Sequence, residues 1–213
     1  MLARPSALQS PPPRRRARAW PAAAAAALAL PAACAGPALP RGFVAAAAEA
    51  PEDMPARLWL DGDAVTAAAC GVGPGGLPAP VRSAVEAVTP GGETVFVGRE
   101  WGPAGDGYRV DKRYADGPDE QFRSALIAPD GAVLERSHSV PLLQVPPAVL
   151  TAAAAVGRDV QRCEIVSGPE REQGWRALVV DGGGRTFALG IGLDGRLRTR
   201  HRLVSARIGM ATR

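Results

Sequence analysis

Two stretches of this chain carry nearly the same short helix. "LPAPVRSAVEAV" covers residues 77–88 and "VPPAVLTAAAAV" covers 145–156. Val81, Ala84, Val85 and Val88 fall at i, i+3, i+4 and i+7, and Val149, Ala152, Ala153 and Val156 do the same. That spacing lays one apolar stripe along each helix. Prolines in the first turn cost no hydrogen bond the helix needs, and Gly91-Gly92 and Gly157 stand where the helices should stop. Helices this short are marginal alone. Each must lie on a surface supplied by the rest of the chain.

The segments after each helix look like that surface. "ETVFVGRE" (93–100) and "QRCEIVSG" (161–168) alternate as strands do. "DGYRV" (106–110) and "QGWRA" (173–177) come next, each placing an aromatic residue, Tyr108 or Trp175, between a glycine and an arginine. "RSALIAPDGAVLE" (123–135) and "FALGIGLDGRLRT" (187–199) then set Asp130-Gly131 and Asp194-Gly195 between strand-like runs, a strong hairpin signal. The expected fold is therefore α+β: two repeated units, 76–140 and 141–208, each one helix packed on a three- or four-stranded antiparallel sheet.

The front of the chain reads differently. Arg14, Arg15, Arg16 and Arg18 precede an apolar run from Trp20 to Ala33, the pattern of an export signal over residues 1–34. The run is short of the roughly 20 apolar residues of a membrane span. Two processing routes are open. "LPAAC" ends in Cys34 and resembles a bacterial lipobox, with Pro31 where that motif has an aliphatic residue; Cys34 would then carry a lipid. Ordinary cleavage after Ala35 or Ala38 is the alternative. The leader holds five arginines and no acidic residue, so its removal takes a chain of net charge +4 to near −1. The basic balance belongs to the leader, and nucleic-acid binding loses its electrostatic support. Residues 35–75 read as a linker, with "ARLWLDGDAV" (56–65) adding one short strand or a hairpin turning at Asp61-Gly62.

Helix, strand, "DGYRV", strand and an Asp-Gly hairpin together resemble the PepSY-like domain. Two in tandem resemble the architecture of the beta-lactamase inhibitory protein family. The resemblance covers about 76–204 and implies an exported, non-enzymatic binding or regulatory module without a cofactor. An inhibitor of a secreted hydrolase is one alternative. A small envelope enzyme using the acidic residues of "DGYRVDKRYADGPDEQ" (Asp106, Asp111, Asp116, Asp119, Glu120) is another. The family's intradomain disulfides have no counterpart here.

Other chemistry is thinly represented. Cys70 and Cys163 remain as an even pair after the leader. An exported protein could join them, closing a long loop worth about 4 kcal/mol in the chain-entropy model; a buried free thiol at Cys163 is the other reading. "GVGPGG" satisfies G-x-G-x-x-G through Gly71, Gly73 and Gly76, but prolines 74, 78 and 80 remove amides that a pyrophosphate would need, so it reads as linker. His138 and His201 lie far apart without further ligands at metal spacing and read as solvated strand residues. "RLRTRHRL" (196–203) puts Arg196, Arg198, Arg200 and Arg202 on one face of a strand. This is either a solvated outer face or a docking ridge for an acidic envelope protein or anionic envelope polymer. The expected location is periplasmic or secreted, with the membrane reached only through the leader or a lipid on Cys34. Mass spectrometry of the exported protein should find an unmodified N-terminus just beyond Cys34; a diacylglyceryl cysteine there would establish the lipoprotein route.

Overall fold

The computed structural model describes residues 38–50, 53–116, 119–169 and 171–208. The leader and Cys34 lie outside them. Three helices, α1 (Arg41–Glu49), α2 (Ala79–Val88) and α3 (Pro147–Ala154), accompany ten strands. The strands are β1 (Met54–Asp61), β2 (Ala64–Gly71), β3 (Glu93–Trp101), β4 (Gly107–Asp116), β5 (Asp119–Ile127), β6 (Val133–Val140), β7 (Asp159–Gly168), β8 (Arg171–Val180), β9 (Thr186–Gly192) and β10 (Leu197–Ile208). Every strand pairs antiparallel with its sequence neighbours, and β10 pairs with β1 from Met54↔Ile208 to Leu60↔Arg202. The sheet closes on itself and leaves no free edge.

This closure overturns the expected α+β fold of two repeated helix-on-sheet units. The strands do not separate into two sheets of three or four. At the boundary placed at 140/141, β6 pairs with β7 from Arg136↔Ser167 to Val140↔Cys163, as any other neighbours do. The stretch 35–75, read as a linker, contributes α1, β1 and β2, and β1 closes the ring. The physical reason is edge satisfaction. A four-stranded sheet exposes two rows of unpaired backbone groups, and ten consecutive antiparallel strands can satisfy all of them by joining.

The helices lie where the apolar spacing places them, and each covers part of one face of the ring. Val81 and Val85 of α2 are buried against Val110, Ala125 and Ile127 of β4 and β5. Val149 and Ala153 of α3 are buried against Cys163, Trp175, Ala177, Val179 and Leu189 of β7, β8 and β9. Phe43 of α1 meets Trp101 edge-on at 6.0 Å, over Ala56, Ala68 and Cys70. Ala68 and Ala69 of β2 are both fully buried, so this strand is covered on both sides and reads as a plain apolar run.

The two Asp-Gly hairpins take the same form. Asp130 Oδ1 accepts from the Ala132 amide, and Asp194 Oδ1 accepts from the Arg196 amide. Gly131 and Gly195 turn with φ of +96° and +75°. Each glycine also touches the first turn of a helix. A Cβ on Gly131 would meet Pro80 O at 3.1 Å, and one on Gly195 would meet Ala148 Cβ at 2.6 Å. Gly131→Ala and Gly195→Ala should each lower stability by at least about 1–2 kcal/mol from the left-handed backbone alone. Urea denaturation checks this through the midpoint, and Gly73→Ala, where a Cβ meets nothing within 4 Å, serves as the control.

Candidate functional site

A closed sheet has an outer and an inner face. The helices mark the outer one. The inner face is identified by Arg57 of β1, which bonds Asp111 of β4, three strands away around the ring. Such a contact runs across the lumen. Alternation places Arg109 on this same inner face as Asp111, and Val110 between them on the face under α2.

The lumen is lined with charge. Arg109 grips Glu100 of β3 with two bonds, Nε–Oε2 at 2.9 Å and Nη2–Oε1 at 2.8 Å. Its third donor, Nη1, reaches across β5 to Glu135 Oε1 of β6 at 2.9 Å. Arg176 of β8 reaches the same oxygen from the other side, across β7. It also reaches Glu164 Oε2 at 3.4 Å, where Ser137 Oγ donates at 3.0 Å. Arg162 Nε lies 2.7 Å from Glu164 Oε1. Arg57, Arg109, Arg162 and Arg176 thus face Glu100, Asp111, Glu135 and Glu164, four charges against four. Arg109 and Arg176 are the arginines after Tyr108 and Trp175, the repeated Gly-aromatic-Arg of the sequence. That repetition is the one signal that could have found them. The three glutamates carried none.

Burial by itself would push the Glu135 carboxyl up, but Arg176 and Arg109 hold it well below its ordinary range. Asp111 behaves likewise: Arg57 and Arg109 outweigh its burial and lower it. These groups are fixed as anions, so they suit an ionic core and not proton transfer near neutral pH. Cys70 and Cys163 are free buried thiols in separate clusters, so the bond considered between them is not formed. Burial and the neighbouring Glu164 push Cys163 up to about 11, and burial raises Cys70. Neither is a ready nucleophile.

The acidic residues of 106–120 do not share one site, although Asp116 and Asp119 stand opposite each other at the hairpin end. Asp106 is exposed ahead of β4, Asp111 is in the lumen, and exposed Glu120 bonds Arg113 at the far end of the β4–β5 hairpin. Ten residues of strand separate the two ends, about 33 Å. The Gly-rich 71–76 stretch links β2 to α2, but β2 and β3 pair antiparallel with each other through Gly71↔Gly98, so no βαβ crossover frames it. His138 is exposed, whereas His201 is half-buried with Nδ1 3.2 Å from Thr66 Oγ1. Among the described residues no group of three His, Cys, Asp or Glu side chains gathers as metal ligands would.

The arginine row needs a correction. Arg196 lies in the turn before β10, and the register slips between Leu197 and Thr199, so Arg198 sits at the irregularity. Both are exposed and bound to Asp194. Arg200 and Arg202 alone continue in regular register, opposite Leu189 and Phe187 on the outer face. Arg200 covers the Phe187 ring at 4.4 Å. Both are exposed and neither has a carboxylate partner among the described residues.

No protein-family model matches the chain, and no curated protein matches it. Among solved structures, it is similar to a crystal structure from Bacteroides eggerthii DSM 20697 described as "putative periplasmic proteins". The two share 19% identity over 59% of this chain and 88% of that one, with a TM-score of 0.44.

Glu135→Gln should cost about 3–5 kcal/mol, because it leaves two arginines short of a buried counter-charge. The lowered carboxyls also set a pH dependence. Their folded pKa lies below the unfolded values of 4.5 and 3.8, so the stabilisation is complete above those values. It is lost as the pH falls below them and through the folded pKa. Urea midpoints measured from pH 7 down to pH 2 should therefore drop below about pH 4.5, and less steeply in Glu135→Gln.

Proposed function

We propose that this protein is an extracytoplasmic, non-enzymatic binding or regulatory module that takes an anionic partner on the outer face of β10. The observation that carries the reading is the pair Arg200 and Arg202: exposed, adjacent on one face, unbalanced by any carboxylate among the described residues, and on the part of β10 away from Ile208, where the strand meets the α1 cluster. Arg196 and Arg198 extend the positive surface, moderated by Asp194. Export is supported by the basic and apolar leader, with plain cleavage or a lipid on Cys34 as its two routes.

The geometry favours this over the alternatives. An enzyme built on the acidic stretch would need its carboxyls gathered in a cleft, whereas Asp106, Asp111 and Glu120 are dispersed along the hairpin and Asp116 and Asp119 pair at its tip. An inhibitor that docked through the inner face of an open sheet finds that face turned inward and its charges already paired. The outer face remains, and β10 presents the unpaired Arg200 and Arg202 on it. Replacing Arg196, Arg198, Arg200 and Arg202 with glutamine should move elution from a dextran sulfate column to clearly lower salt. Stability should stay within about 0.5 kcal/mol for each exposed site. Retention equal to the parent's would refute the reading.

A further inference from the structure

The helices leave the middle of a second strand bare on the outer face, β6, which meets the α3 cluster at its end through Val140. α2 sits over β4 and β5, and α3 sits over β7, β8 and β9. Between them lies β6, whose outward residues Arg136 and His138 are exposed. Arg123 of β5 stands directly opposite His138 in the register, is exposed, and joins them on this face. The acidic neighbours Glu135 and Glu164 point the other way, into the lumen, where Arg109, Arg162 and Arg176 hold them. Arg136 Nε donates to Ser167 Oγ at 3.3 Å, and Arg123 lies over the Tyr114 ring at 4.7 Å. Neither arginine has a carboxylate partner among the described residues. The positions match those on β10. Six and eight residues after the hairpin aspartate stand Arg136 and His138 in β6, and Arg200 and Arg202 in β10.

We infer that the outer face of β5–β6 is a second binding strip for a linear polyanion, so that one protein molecule bridges two polymer chains. This rests on the reading of β10 as an anion-binding strip. The two strips lie four strands apart in a ring of ten, on different flanks, so a short fragment lying along one leaves the other free. The occupant is a polymer and not an acidic protein because the strip is a narrow row of charge on the convex outside of the barrel. None of the exposed large apolar side chains belongs to β5 or β6, so the anchor that a protein interface centres on is missing. Repeated fixed charge on the polymer suits Arg123 and Arg136, two exposed cations that keep their charge at every pH in the working range.

Titration calorimetry with a short dextran sulfate fragment should give two fragments per protein. R123Q/R136Q and R200Q/R202Q should each give one, and R123K/R136K should keep two. Light scattering with long dextran sulfate should show particles of many polymer chains with the parent protein and only single decorated chains with either glutamine variant. One fragment on the parent, removed by R200Q/R202Q, leaves the β10 reading standing and overturns the second strip. So does R123Q/R136Q keeping two. Binding untouched by either glutamine variant overturns both readings. Loss of a site in R123K/R136K overturns recognition by charge. Binding of polyglutamate without dextran sulfate overturns the polymer in favour of an acidic protein.

Discussion

One oxygen holds the inside of this barrel together. Glu135 Oε1 on β6 accepts from Arg109 on β4 and from Arg176 on β8, so a single carboxylate ties strands on both sides of it. Each arginine also holds a glutamate of the strand preceding it, Glu100 on β3 or Glu164 on β7. The network is thus continuous from β3 to β8. Charges buried this far from water are tolerable only when paired and hydrogen-bonded. Such a core contributes less to net stability than a well-packed apolar one would, and its removal in part costs more than its removal in whole. Its geometric demands hold the strands in one register.

The apolar surface has gone to the other side. In many small barrels the lumen is packed with hydrophobic side chains and the outside is wet. Here three short helices cover much of the outer face, and Val81, Val85, Val149, Ala153 and Phe43 make the apolar cores there. A helix of eight to ten residues gains its stability from this contact and not from its own hydrogen bonds. The Asp-Gly hairpins serve both arrangements, since Gly131 and Gly195 turn the strands and seat the first turns of α2 and α3. Where the helices end, the outer face is cationic, and binding is assigned to those bare strips.

The sequence was legible in its local features. Helical spacing of valine and alanine, the strand alternation and the Asp-Gly turns all describe interactions within a few residues or across one hairpin. The matching glycine, aromatic and arginine around Tyr108 and Trp175 were visible as a pattern, but their use was not. Arg109 reads as the polar, outward member of an alternating strand, because a polar face is ordinarily a wet one. Asp111 reads as one more member of the acidic stretch 106–120 for the same reason. The arginine row was misjudged because an irregularity near Arg198 breaks the alternation that the letters suggest.

The chain by itself therefore determined which residues share a face, where the strands turn and which helices need a platform. Those depend on a repeat of two or 3.6 residues and on the φ values a glycine permits. Tertiary structure decided which face is inside. That choice depends on whether β1, in a stretch resembling a linker, finds β10 some 150 residues later and closes the ring. Closure satisfies the last unpaired backbone edges, and in doing so turns the charged face inward, where each arginine must meet a carboxylate. Pairing over that separation leaves no mark in any short window of sequence.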